Sequence, residues 1–581
     1  MNERVHNHKF QRWMREAVRY EEEWRKGNES CYGYYDGKQW TEGEEAELEL
    51  RGQDPAVFNL IRPTVDMLSS LEVERRADIQ VCGREGSDDD KAQLLTELLK
   101  HVFDSCNFDY FHSAAFRDAV IGGRGWMECS TYTNEQGKDL IRVDHVPWEN
   151  VYCDPFSRKP DASDARFIIK VKWVDRDVLK KLFPASADDI DSVFEPDDYR
   201  GQEYEAQNKA GDRGEEKYYD AKTQRVKVCE CYYTVPEYET IEVLNEQTGK
   251  RQNKEVMKQK LHFVIFSDDV ILKGSATDDS ANENPFGIDY YPLIPIYGTR
   301  DRKGRPRGVI RDLLPLQDIL NKLNSKIVHF MGTNRLFIEE DAVNDPLEAH
   351  QEVQKPDGLI SLRPGGLSKI RVEDKFRDMS FASNYATQIV GMFQRICGVN
   401  DSTLGMGGTN ERSGIMQTTR ISQGNAMQTV ILENMFYSKQ RIALVLLRLM
   451  GKFYTDYRVM RVTRPNGEVE TYEFNVPQVD PATGEPAGLL NDIGDTLYYD
   501  VILKKVPPFN SIRERQLMLI TEVLKSGVVI PPQVASKIIL ESIDLPNKTD
   551  LLRETEAIYQ AAAAPAQGQE PAQEQAQTPQ A

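Results

Sequence analysis

Gly405-Met-Gly-Gly-Thr-Asn-Glu-Arg-Ser-Gly414 is the stretch whose residue types come nearest to chemistry. A glycine-rich loop can turn successive backbone N–H groups towards a phosphate. This one lacks the lysine of G-x-x-x-x-G-K-[ST] and has no strand ahead of it, so flexibility is its better reading. The acidic clusters Asp88-Asp-Asp90 and Glu339-Glu340-Asp341 have the ligand type for a divalent ion but read first as solvated charge. Cys229 and Cys231 form a C-x-C inside an alternating strand, without the second ligand pair that zinc needs. All eight cysteines read as small buried hydrophobes of a reducing compartment. The histidines form no H-E-x-x-H, and His6 and His8 read as solvated. No G-x-S-x-G elbow occurs. The expectation is a protein that is not an enzyme, with no cofactor and no metal.

Charge is more informative. Tyr297 to Gly308 carries Arg300, Arg302, Lys303, Arg305 and Arg307 against Asp301, in a chain of net charge −20. Such a patch either neutralises acidic neighbours or contacts phosphate or the acidic surface of another subunit. The acidic total argues against a protein that wraps nucleic acid in a basic groove. It suits a large soluble assembly whose surface must not stick to DNA. At 581 residues the chain suggests two to four packed units. The charged first residues contain no apolar signal core. The run Ile442 to Leu447 is far short of the ~20 apolar residues that span a bilayer. A soluble cytosolic protein is expected.

The elements that must position these groups follow from periodicity. A charged helix over 9–27, with Trp13, Val18 and Trp24 as anchors, precedes a Tyr-rich turn at 32–37 and an acidic helix over 42–50. Helical spacing recurs over 58–73, from Asp88 to Phe103 and over 110–121, the last ending at Gly122-Gly123. Period-two stretches then predict a hairpin over 126–133 and 140–146, and a strand over 167–174. A mobile acidic loop is expected over 186–222. A meander over 226–234, 238–244, 260–266 and 270–273 completes an α+β region.

From Gly308 the pattern changes. Leu316, Leu320, Leu323, Ile327 and Phe330 step four-three-four-three, one narrow apolar stripe. Asp318, Lys322, Ser325 and His329 step in the same rhythm on the opposite side, which by itself reads as a solvated face. A second helix over about 378–397 repeats the stripe with Tyr385, Ile389, Met392 and Ile396. Between the two, Pro346, Pro356, Pro364 and Gly365-Gly366 predict an excursion that no helix absorbs. A helix of about forty residues is expected over 415–454, kinked at Gly424. A hairpin around Pro465-Asn-Gly467, a strand over 496–506, helices between 511 and 559 and an Ala/Gln/Pro tail close the chain.

In this order the elements resemble a family. "Phe58-Asn-Leu-Ile-Arg-Pro-Thr-Val-Asp66" feeds "Arg75-Arg-Ala-Asp-Ile79", and "Pro306-Arg-Gly-Val-Ile-Arg-Asp312" precedes the Gln317/Asp318/Asn321/Asn324/Ser325 helix. The second helix, the glycine-rich loop and the long helix follow. The chain resembles the portal proteins of tailed bacteriophages, of the type found in short-tailed phages of enteric bacteria. The resemblance implies a ring of twelve identical subunits at one capsid vertex. It implies a wing over 1–307, stem helices over 308–331 and 376–398, and a clip over 332–375. It further implies a tunnel loop over 399–414, a long kinked helix over 415–456, strands returning to the wing over 457–510, and crown helices over 511–560 ahead of a flexible tail, 561–581.

On that basis Leu316, Leu320, Leu323, Ile327, Phe330, Tyr385, Ile389 and Met392 are expected in subunit packing. Lys322, His329, Met406, Asn410 and Arg412 are expected to face a DNA tunnel. Glu339, Glu340, Asp341 and Lys355 are expected to meet the terminase large subunit and then a tail adaptor protein. Major capsid and scaffolding proteins, and double-stranded DNA read without sequence specificity, are the other expected partners, with no membrane. Another multimeric head-tail protein and, less favoured for want of a P-loop, a packaging enzyme remain as alternatives.

Overall fold

The computed structural model describes residues 8–83, 89–194, 218–220, 222–244, 251–332, 336–339, 341–355, 357–372, 376–398, 429–463, 469–479, 486–494, 496 and 499–504. The chain divides into two compact units, the first comprising Met1–Arg458 with Glu473–Lys504. Of the second unit, the described residues are 459–463 and 469–472, which lie in the paired strands Arg458–Thr463 and Val469–Phe474.

The fold is α+β, and its first element is longer than its sequence suggests. Helix α1 runs Lys9–Asp36, straight through the tyrosines expected to form a turn. Those rings are used sideways: Tyr32 stacks on Trp148 at 5.9 Å and donates to Asp118, while Tyr34 and Tyr35 donate to Asp318 and Asp66. The helix stops at Gly37, whose φ of +90° suits the left-handed cap. Helix α2, Glu42–Leu50, follows with a capping box from Thr41 and Glu44. Then come α3 (Ile61–Glu74), α4 (Asp89–Ser105) and α5 (Phe108–Gly122), with Gly123 as the left-handed cap of α5.

The strand Asp78–Gly83 pairs with Tyr499–Lys504 from far along the chain. Arg124–Thr133 and Asp139–Val146 form the expected hairpin, extended to three strands by Leu293–Tyr297. A larger sheet takes Val151–Cys153, Phe167–Asp175, Arg225–Leu244, Arg251–Ser267 and Val270–Lys273 in that order. Alternation along these strands gives each face its own core. Phe167, Ile169, Cys229, Cys231, Tyr233 and Phe266 meet Phe10, Met14 and Ala17 of α1 on one face. Val226, Val228, Val270 and Leu272 meet Leu179 and Ile190 on the other. Leu179 and Ile190 belong to α6 (Arg176–Leu182) and α7 (Ala187–Phe194), so part of the acidic stretch expected as loop is helical; residues 195–217 lie outside the described residues.

Two expected meander strands are one: Arg225–Leu244 continues through Pro236. Its flanking partner strand ends its register at Tyr233, so Pro236 sits where one edge is open and a missing N–H is tolerated. Beyond it the two longest strands project as a ribbon, with exposed Tyr238 directly across from exposed Met257 and an ion pair of 2.7 Å between Lys258 and Glu239.

After the small hairpin Thr299–Arg300/Pro306–Arg307, α8 runs Leu314–Gly332 and, later, α10 runs Phe376–Cys397. Between them Leu336–Ile338 pairs with Ile370–Val372. The excursion does absorb a helix, α9 (Pro346–Gln354), because Pro346 falls in its first turn, where no N–H is missed. Helix α11, Thr429–Phe453, is the described part of the expected long helix; Gly424 lies outside the described residues, as do the crown helices and tail. Buried side chains from Ile431 to Met450 bind α11 to the three-stranded sheet, with Ser438 donating to the Pro295 carbonyl at 2.8 Å. Among the described residues no helix is long and apolar enough to cross a membrane. All eight cysteines are free thiols, six of them buried.

His8 is not solvated as expected but buried at the start of α1. Its Nδ1 accepts from the Gln11 N–H at 3.1 Å and its Nε2 donates to the Asp268 carbonyl at 3.0 Å, which requires the neutral ring. Burial lowers its pKa from 6.5 to about 4. The unfolded chain therefore takes up this proton more readily, so the contribution is intact above pH 6.5 and is lost as pH falls towards 4. His8→Asn keeps an N-cap oxygen and removes the titration. Its unfolding free energy should fall less between pH 6.5 and 4 than the wild type's, measured by urea denaturation; equal slopes exclude the role.

Candidate stem, clip and basic hairpin

Helices α8 and α10 pack against one another, and their seam settles which stripe residues are used. Leu320, Ala386 and Ile389 are buried together, with Leu316, Leu323, Val390 and Leu60 packed against them. Ile327 and Phe330 are half-buried. Tyr385 and Met392 do not join Ile389: they stay 39% and 47% exposed, beside exposed Phe381 and Ile396. Among the described side chains of α10, the buried ones are Ala382, Ala386, Ile389, Phe393 and Cys397. So the helix has two adjoining apolar strips rather than one, at roughly 100° per residue. The small residues Ala382 and Ala386 are the missed signal, since they let the helices approach.

The polar side of α8 is not a bare solvated back. Gln317 and Asn321 are fully buried. Gln317 donates from Nε2 to the Phe58 carbonyl at 2.8 Å and accepts from the Leu60 N–H at 3.2 Å. Asn321 accepts from the Phe58 N–H at 3.2 Å and donates to Gln39 Oε1 at 2.7 Å. Ser325 donates to the Asp54 carbonyl, and His329 Nδ1 donates to the Gly52 carbonyl at 3.1 Å. These side chains, stepping along one side of the helix, take over the backbone hydrogen bonds of the irregular segment 52–60. Beside them, Lys322 reaches Glu44 at 3.2 Å and Asp318 accepts from Tyr34. Lys322 and His329, expected to face a tunnel, thus each have a partner in the same chain. Met406, Asn410 and Arg412 lie outside the described residues.

The match to known proteins follows this architecture. Residues 11–581 match the family "Phage P22-like portal protein". The chain belongs to that family. It is also similar to the "Portal protein" of Helicobacter pylori bacteriophage KHP30, with 23% identity over 528 residues, 89% of this chain and 77% of the relative. Portal proteins are structural head-tail connectors of phage particles rather than an enzyme class.

In the portal chain the excursion between α8 and α10 presents its carboxylates through a residue that sequence reasoning missed. Lys369 lies 3.6 Å from Glu339 and pairs with Asp341, lowering the Asp341 carboxyl pKa by hydrogen bonding. Lys355, assigned with them, is paired instead with Glu352 at 2.6 Å, and Glu340 lies outside the described residues. No spacing rule links 341 to 369, because the contact is made by the pairing of two short strands.

The basic segment 300–307 is partly neutralised. Arg305 pairs with Glu23 at 2.6 Å, Arg307 with Asp312, and Arg300 lies 4.5 Å over the Tyr297 ring while donating to the Arg158 carbonyl at 2.8 Å. Arg302 and Lys303 are exposed and form no ion pair among the described residues.

Asn321→Ala strips a buried hydrogen-bond partner from Phe58 N–H, Gln317 and Gln39 at once, and should destabilise by about 1–3 kcal/mol. Lys322→Ala breaks a half-exposed pair and should cost less than about 1 kcal/mol. Urea unfolding of both variants gives the comparison; equal losses remove the amide clasp of Gln317 and Asn321 on segment 52–60 from its central place.

Proposed function

We propose that the protein is the portal of a tailed phage: a ring of twelve copies at one capsid vertex, through which double-stranded DNA is packaged and later ejected. The observation that carries the reading is the family match over residues 11–581 on a chain whose α8–α10 pair keeps an apolar strip exposed. In a ring, Phe381, Tyr385, Met392 and Ile396 would pack against the next copy, as an exposed strip of that kind requires. Residues 1–307 serve as wing, 332–375 as clip and 399–414 as tunnel loop. Met406, Asn410 and Arg412 face the DNA there, and Lys322 and His329 stand at the stem.

Duplex DNA carries about one charge per 1.7 Å, so basic contacts repeated around a ring would hold it fast. A net charge of −20 per copy favours sliding instead. The portal does no chemistry: a terminase motor docks on the clip through Glu339, Glu340 and Asp341, supplies ATP hydrolysis, and gives way to tail adaptors.

Native mass spectrometry with negative-stain images of the purified protein tests this directly. A closed ring near twelve copies with a central hole is expected; a compact dimer or tetramer without a hole overturns the reading. Tyr385→Glu with Met392→Glu should reduce ring formation about tenfold or more while leaving the circular dichroism spectrum unchanged. Deleting 405–412 should leave rings intact but impair DNA packaging or retention in a phage complementation assay. Normal packaging by such rings removes the tunnel-loop role.

A further inference from the structure

Among the described residues, two clusters of exposed charge, one basic and one acidic, form no ion pair within the chain. The first is the tip of the hairpin Thr299–Arg307. It is rigidly built: the Asp301 carboxylate accepts from the Lys303 and Arg305 N–H groups, both at 2.8 Å, and Gly304 takes the turn at φ +80°. Its base is pressed onto the end of α5, where a Cβ on Gly123 would lie 2.3 Å from the Arg307 nitrogen. Tyr20 and Glu23 of α1 hold its far strand through the Lys303 carbonyl and the Arg305 guanidinium. With Arg305 and Arg307 neutralised, Arg302, Lys303 and the adjacent Lys159 project into solvent and form no ion pair among the described residues.

The second surface is α2. It buries no side chain at all. Glu44 is used on Lys322 and Glu47 on Arg51. Glu42, Glu45 and Glu49 step three then four, so they share one exposed face and form no ion pair among the described residues. Like charges at these spacings repel, so this face is better satisfied by an outside cation than by itself.

Among the described residues the two surfaces do not pair with one another within the chain. Glu23, beside the hairpin, and Asp36, where α1 ends before α2, are separated by roughly 20 Å of helix at 1.5 Å per residue. An acidic face and a basic face at separate places on one body are what a head-to-tail contact between identical copies uses.

We propose that the Glu42/Glu45/Glu49 face of α2 docks on the Arg302/Lys303/Lys159 surface of the next copy of this chain. This rests on the ring reading above and adds to it the wing contact that sets which neighbour is which. The contact is electrostatic, so it steers encounter and weakens with salt.

The test is a charge swap on the full-length protein, with ring fraction read by native mass spectrometry and sedimentation velocity at low and high salt. Arg302→Glu with Lys303→Glu, and separately Glu42→Lys with Glu45→Lys and Glu49→Lys, should each lower assembly about tenfold at low salt. All five substitutions together should restore it. Circular dichroism on each set confirms the fold, since every altered residue is exposed.

Single sets that assemble like the wild type overturn the inference, as does a combined set no better than the worse single one. So does a hairpin variant that assembles normally but loses binding to a short fluorescent duplex by anisotropy, for then the partner is phosphate. A wild type that stays monomeric at every concentration overturns it too. When wild-type rings form and the swap fails, the portal reading stands; a compact closed dimer removes both.

Discussion

An extended segment laid across a helix must find a partner for each buried backbone N–H and carbonyl, and it has no ladder to supply them. Residues 52–60 are such a segment, and the amides of Gln317 and Asn321, both buried, answer for Phe58 and Leu60. Much of the α8–α10 pair depends on this. The clasp brings Leu60 into the apolar seam between α8 and α10, and through Gln39 it ties the end of α1 to the same helix. A buried amide left half-satisfied is worse than an apolar core, so the clasp admits one register of 52–60 on α8.

Helix α1 carries the same logic into the large sheet. Its first turns supply Phe10, Met14 and Ala17 to the core, its middle pairs Glu21 with buried Arg124 at 2.7 Å, and its last turn presents tyrosines to Asp318, Asp66 and Asp118. One helix therefore touches sheet, basic hairpin and α8 in succession. Some of its polar residues act as fasteners, while Arg12, Arg19, Glu22, Lys26 and Glu29 stay on an exposed face.

The charge distribution separates structure from surface. Several buried ions are paired: Lys170 lies between Glu128 and Glu230, and Asp154 holds the more exposed Arg166, which also reaches Glu16. Breaking such pairs leaves an unpaired charge in a poorly solvated place, which is why they fix geometry more than they add stability. What remains exposed carries both signs, and Arg302 and Lys303 are among the exposed basic residues that form no ion pair among the described residues.

Much of the element order was legible from local pattern alone: the helices over 42–50 and 108–122, the hairpin 124–146, the stem pair and the left-handed glycine after α5 all rest on period, caps and turns that act within a few residues. Proline and tyrosine misled where an open edge, a helix's first turn or tertiary contacts removed the expected break, at Pro236, Pro346 and Tyr32 to Tyr35 respectively. Family resemblance too was carried by the sequence, through Gln317, Asn321 and Ser325, although their task was not. Periodicity tells that a helix has a polar row; it does not tell whether water or another segment covers that row. Only the tertiary structure decided that Asn321 serves Phe58, that Ile389 is inside while Tyr385 and Met392 stay out, and that Lys369 joins Asp341. The physical reason is range: propensity and capping are local, whereas a partner hundreds of residues away is chosen by packing and by the cost of leaving a buried polar group alone.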